Sequence, residues 1–283
     1  MLAELSDRQW LWCAAALYTV GLLRGTVSVV RGGHLSPAFM YFTILGGYIL
    51  QFIGLGIRGH ATGGCPLGNQ FEIFQFTAWS AITLYLVVGV TFRSSIMGYF
   101  TSCLGSALTV VSLSIPEWDA VRRTHIFGGN PWIELHASLA IFSYGVFGLL
   151  ALASGLFLLR HYSLKSKRLG GWFSFLPSIR DLDHIEVRLL GAGLALLTLA
   201  LMFGGVYWSR DMATVDHAKL AATVAVWAVS ALAFGLRVVG LLLARRFAWT
   251  CLALFAAALL SLEAVDVSRH PGATRQTSEL RAP

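Results

Sequence analysis

Hydrophobic positions along this chain gather into long runs, each broken by a short polar segment. Runs of spanning length fall at about 9–29, 37–57, 71–92, 96–115, 132–159, 185–208, 218–243 and 247–268. About twenty apolar residues cross a bilayer core as a helix, and a helix satisfies all its own backbone hydrogen bonds in hydrocarbon. The pattern predicts eight helices. Glycine and proline mark several of the breaks, in "RGGHLSP", "RGHATGGCPLGNQ" and "GGNP". The expected architecture is all-α: one polytopic membrane bundle of about eight transmembrane helices over residues 1–268, followed by a polar C-terminal tail, 269–283. The opening "MLAELSDRQWLWCAAALYTV" has acids ahead of an apolar run long enough to span, so it reads as a helix and not as a cleaved signal.

Composition agrees with the pattern. The 283 residues are 56% hydrophobic and 12% charged, and mean hydropathy is +0.69. No stretch is long enough for a separate soluble catalytic domain. Net charge is +7. In a membrane protein, basic excess speaks of orientation and lipid headgroups, and no basic-aromatic pattern for nucleic acid is present. Cys13, Cys65, Cys103 and Cys251 form no C-x-x-C pair, so a thiol relay has no support.

Charge also predicts orientation. The segment between the fifth and sixth runs holds Arg160, Lys165, Lys167, Arg168, Arg180 and Arg188. With Arg237, Arg245, Arg246, Arg24, Arg31 and Arg93, twelve Lys/Arg fall on that side, against nine on the other. The denser side is placed in the cytoplasm, with both termini outside. That topology puts His34, His161 and His184 inside, and His60, His125, His136, His217 and His270 outside.

"NPWIELHASLAIFSYG", residues 130–145, sharpens the question. His136 lies within the first two turns of a membrane-length helix, where imidazole is costly unless something occupies it. Trp79, Trp118, Trp132, Tyr207 and Trp208 crowd the same side. An interfacial aromatic belt accounts for most of them. A flat, aromatic-lined pocket with two axial histidines is also what haem iron requires. Arg122, Arg123 and Arg210 suit propionate carboxylates, although short polar loops carry such charges for solvation alone.

Several segments resemble the cytochrome c assembly family of CcsA/HemX-type integral membrane proteins. "CPLGNQFEIFQFTAW", residues 65–79, looks like the family's P-x-x-N-x-x-E loop leading into a span with a tryptophan. Asn69 there is suited to cap the third helix, with Glu72 near its positive end as a structural or site-shaping residue. "ELHASLAIFSYG" is similar to the family's helix carrying an external haem-ligand histidine, which places His136 in that role. "LPSIRDLDHIEVRLLGAG" and "RVVGLLLARRFAW" resemble the approach to the sixth span and the Arg, Gly, Arg-Arg loop between the last two. Before span seven, "GGVYWSRDMATVDHAKL" keeps Trp208 and Lys219, with Trp227 downstream, but lacks the Trp-Gly-x-x-Trp-x-Trp core. The histidine expected within span seven falls near Gly235 and is missing.

The resemblance implies a haem-binding protein of cytochrome c biogenesis, closer to a short HemX-type accessory than to a complete haem-delivery platform. Metal ligands are expected at His136 and His270, with His217 and His60 in reserve and Trp132 and Trp208 as pocket wall. Expected partners are other cytochrome c maturation membrane proteins, apocytochrome c and membrane lipid, in the bacterial inner membrane. The protein is not expected to be an enzyme on its own. A second reading is a membrane regulator of haem synthesis, acting through a cytoplasmic partner on the basic loop. A third is a transporter of haem or a small solute, for which Glu263 is the clearest acid in a predicted span.

Overall fold

The computed structural model describes residues 6–31, 36–92, 95–122, 124, 130–167, 176, 178–208 and 217–267. Within them lie eight α-helices: α1 (Asp7–Val30), α2 (Pro37–Thr62), α3 (Gln70–Phe92), α4 (Ser95–Ser114), α5 (Pro131–Lys165), α6 (Ile179–Trp208), α7 (His217–Val238) and α8 (Ala244–Val267). A short 3-10 turn, Pro116–Asp119, follows α4. Six helices, α1, α2, α4, α5, α6 and α7, contain stretches long and apolar enough to cross a membrane. Of the two others, α3 buries Glu72 and Gln75 in its first two turns, and α8 opens on Arg245 and Arg246.

The ends of the helices depart from the apolar runs where local chemistry overrides hydropathy. Helix α5 continues six residues past its predicted end, to Lys165, giving a rod about 52 Å long at 1.5 Å per residue. Helix α6 begins at Ile179, ahead of its run, because the Ser178 hydroxyl accepts from the Asp181 amide at 3.1 Å and caps it. Leu182, Ile185 and Leu189 then bury one face of that first stretch. Helix α7 stops at Val238, short of the predicted 243. Gly240 takes a left-handed φ of 81° there, and Arg237 donates to the Leu242 carbonyl at 2.9 Å, which closes the turn into α8.

Two kinds of packing hold the bundle. Between α1, α2, α3 and α4 runs a buried polar chain. Tyr18 Oη donates to Gln51 Oε1 (2.9 Å), Gln51 Nε2 donates to Gln75 Oε1 (2.9 Å), and Gln75 Nε2 donates to Ser112 Oγ (2.8 Å). Each member finds a partner on a neighbouring helix, so the chain specifies register where lipid offers no hydrophobic contrast. Between α5, α6 and α8 the contact is apolar, through Phe147, Leu150, Leu189, Leu190, Phe247 and Leu254. The two parts meet where α3 crosses α5 at Gly145. A Cβ there would stand 2.7 Å from the Thr77 carbonyl oxygen and 2.9 Å from the Ala81 amide nitrogen. Only glycine permits that approach of two backbones.

Candidate functional site

Chain direction places the start of α1, the end of α2, the start of α3, the 3-10 turn and the start of α5 at one end of the bundle. A cluster of charges ties them together. Arg58, just ahead of the last turn of α2, is fully buried. Its Nε donates to Glu72 Oε1 at 2.6 Å and one Nη to Asp7 Oδ2 at 2.8 Å, while the other Nη pairs with Asp119. Arg8 reaches Asp119 at 2.9 Å and Arg122 reaches Asp7 at 3.0 Å. Three arginines thus face three carboxylates, and the guanidinium carbons of Arg58 and Arg8 lie 4.7 and 5.3 Å from the Phe71 ring. Burial alone would raise the Asp119 carboxyl, but hydrogen bonding to Arg58 and the charges of Arg58, Arg122 and Arg8 bring it below its ordinary value.

Asn69 caps α3 by accepting from the Glu72 amide at 2.9 Å. Glu72 reaches back to accept from the Gly68 amide at 2.6 Å, one residue ahead of the cap. Its other oxygen holds Arg58, so Glu72 is engaged on both sides and is poorly placed to exchange a proton with a substrate. The same loop is fastened to α5, because the Cys65 amide donates to a Glu134 carboxylate oxygen. Burial pushes the Cys65 thiol up to about 11, so at neutral pH it is a thiol and not a nucleophilic thiolate. Mass-spectrometric mapping of iodoacetamide labelling should find Cys65 nearly unmodified at pH 7.5 and modified much faster above pH 10. Fast labelling at pH 7.5 would contradict this placement.

His136 lies two residues beyond Glu134, on a helix started by Pro131 and capped by Asn130, which accepts from the Trp132 amide at 3.0 Å. Its Nδ1 lies 2.6 Å from the Ala200 carbonyl oxygen on α6. A carbonyl only accepts, so Nδ1 carries the proton and Nε2 is the basic nitrogen. Protein-bound metal ions and haem iron use imidazole in this form, its ring oriented by a hydrogen bond from the other nitrogen. One turn toward the membrane surface, the rings of Trp132 and Phe203 lie 5.7 Å apart, so the α5–α6 seam presents an imidazole with an aromatic pair above it. Trp132 is 43% exposed.

The other residues singled out in the sequence are placed less closely. His60 is exposed near the end of α2, at the same end of the bundle. His217 opens α7 and Trp208 closes α6, but their side chains lie outside the described set, as does that of Glu263. His270, His125, Arg123, Arg210 and the tail 269–283 also lie outside the described residues. Trp79 and Trp118 serve internal packing. Trp79 stacks on Tyr48 at 5.5 Å and meets Phe142 of α5 edge-on at 5.9 Å, and Trp118 lies 4.7 Å from Phe74.

Two features escaped the sequence reading. One is the Arg58 cluster, whose partners lie far apart along the chain. The other is Glu186 in α6, fully buried with no hydrogen-bond partner on either oxygen among the described residues. The Ser154 hydroxyl of α5 lies beside it without meeting hydrogen-bond geometry.

The fold therefore defines a multi-pass helical membrane protein with a charge-locked end and a helix-mounted histidine at that end. The sequence profile of the Cytochrome C assembly protein family matches residues 67–266, and the chain belongs to that family. It is 30% identical over 175 residues to Protein HemX of Bacillus subtilis (strain 168), covering 61% of each chain. It is 28% identical over 145 residues to Protein HemX of Brevibacillus brevis, covering 51% of this chain and 53% of that one. Cytochrome c biogenesis protein CcsA of Trieres chinensis is 26% identical over 201 residues, covering 58% and 64% respectively. The matched segments thus span between about half and two thirds of these relatives' own length.

Proposed function

We propose that this protein holds haem at the outer face of a bacterial cytoplasmic membrane during cytochrome c biogenesis. His136 is one axial ligand in this reading. His270 is its opposite number, with His217 and His60 as reserves and Trp132 and Trp208 as pocket wall. The observation that carries the reading is the Nδ1 hydrogen bond to Ala200, which fixes the imidazole between two helices at the end of the bundle, in the tautomer and orientation typical of a ligating histidine. Haem asks for no more than two protein ligands, so one histidine of this kind is half of the need. Bound haem would supply the redox chemistry, and the chain supplies ligation, orientation and an apolar surround. The half-buried, protonated Cys65 gives no help with apocytochrome thiols, so thiol reduction belongs to a partner. The partners are other membrane proteins of cytochrome c maturation and apocytochrome c itself.

The test is an absorption spectrum of the purified protein, oxidised and then reduced. A Soret band with sharp reduced bands is the expected result. A colourless protein that also fails to take up added haem would end the proposal. Orientation is tested separately: a cysteine at Ser166 should label only with reagents that enter the cytoplasm, and one at Thr124 from outside. The reverse pattern would put His136 on the cytoplasmic side.

A further inference from the structure

At the other end of the bundle, where α5 ends and α8 begins, the surface is hollowed into a groove of about 470 Å³. Leu158, His161, Tyr162 and Lys165 line it from α5 at helical spacing, with Ser166 beyond them, and Arg245 and Trp249 line it from α8. Two basic side chains and an imidazole share this hollow, and among the described residues no acid lines it. Helix dipoles do not explain Arg245. It stands in the first turn of α8, which has no acid and where a positive side chain meets the positive helix end. An anion in the groove would satisfy both.

The rest of the groove is built for more than an anion. Trp249 and Tyr162 are 58% and 57% exposed, and amphipathic rings at the end of a span sit at headgroup depth. The lining continues into apolar packing: the His161 ring stacks on Phe157 at 6.4 Å, and Phe157 is buried in one cluster with Ala248. One turn deeper on the same stripe of α5, Gly155 has open space beside it. A polar, cationic mouth at headgroup level opens onto an apolar track toward the bilayer middle. We infer that this groove binds an anionic phospholipid, its phosphate between Lys165 and Arg245 and an acyl chain along the α5–α8 seam. A cation near a membrane surface contributes enough that losing both should weaken retention of such a lipid roughly tenfold or more. The inference does not depend on haem.

Native mass spectrometry of the full chain in detergent tests it, with phosphatidylglycerol or phosphatidylcholine added. Wild-type protein should retain phosphatidylglycerol at least about fivefold better than phosphatidylcholine. Lys165→Gln with Arg245→Gln should remove that preference. Lys167→Gln with Arg246→Gln removes the same charge at the same end but outside the groove, and should leave it within about twofold. Equal loss in both double variants would mean a diffuse positive field and overturn the site. So would equal retention of the two lipids by wild type. Displacement of phosphatidylglycerol by millimolar glycerol phosphate would show a site for free phosphate esters and overturn the lipid assignment. Should the groove variant misfold, acetylation footprinting of the wild-type chain in nanodiscs decides. Lys165 should be protected relative to Lys167 in phosphatidylglycerol and not in phosphatidylcholine, and equal protection in both overturns the inference.

Discussion

Replacing Arg58 with alanine is expected to destabilise the protein by about 3–5 kcal/mol, the range for breaking a buried ion pair by removing one partner. The physical reason is what stays behind. Glu72 and Asp119 would remain buried with their main partner gone, and Asp7 would keep only Arg122. Lysine should not rescue. The guanidinium serves three carboxylates in three directions through Nε and both Nη atoms, whereas an ammonium is a single point charge. Thermal unfolding in detergent is the measurement. A melting temperature within about 2 °C of wild type for Arg58→Ala would show that the cluster is not a structural lock. Adding Glu72→Gln and Asp119→Asn to Arg58→Met should recover part of the loss, because the orphaned charges go with their partner.

The same cluster sets a pH dependence. The folded Asp119 carboxyl lies below its ordinary value of 3.8. A depressed carboxyl contributes stability that is fully present above the unfolded value and is lost as pH falls through the folded one. Melting temperature should therefore hold from neutrality down to about pH 4.5 and fall below that, and the fall should be shallower in Asp119→Asn.

How much of this was legible from residues alone follows from what each feature depends on. The eight helices were legible as apolar runs because hydrocarbon forces every spanning segment to satisfy its own backbone, although among the described residues only six of the eight are long and apolar enough to span. The Asn69 cap on α3 was legible because a cap is local, three residues from its target. Arg58 was not. A lone arginine near the end of an apolar run looks like a snorkelling side chain, and its partners sit 14, 51 and 61 residues away. Glu186 was hidden for the opposite reason. Its neighbours in "RDLDHIEVR" suggest a solvated helix start, yet Leu182, Ile185 and Leu189 turn that face inward and take Glu186 with them. The orientation of His136 was beyond reach because its partner is a backbone carbonyl, a group every residue carries and no sequence distinguishes.

Loss of His136 is expected to have the largest functional effect. His136→Ala removes the imidazole and its bond to Ala200 together, so a drop in haem content alone would not separate ligation from helix docking. His136→Asn separates them. The asparagine amide nitrogen can stand where Nδ1 stands and donate to the Ala200 carbonyl, which lies 2.6 Å from Nδ1 in the native protein, while no basic nitrogen remains to face iron. Both variants should lower haem per protein by roughly tenfold or more. Asn should melt closer to wild type than Ala does. His184→Ala, an exposed histidine at the other end of the bundle, should leave haem content unchanged. Added imidazole should partly restore the reduced bands of His136→Ala, because it can enter the space the side chain leaves and offer the same nitrogen. Retention of full haem with unshifted bands in His136→Asn would make His136 a bracket between α5 and α6, with the iron ligands elsewhere.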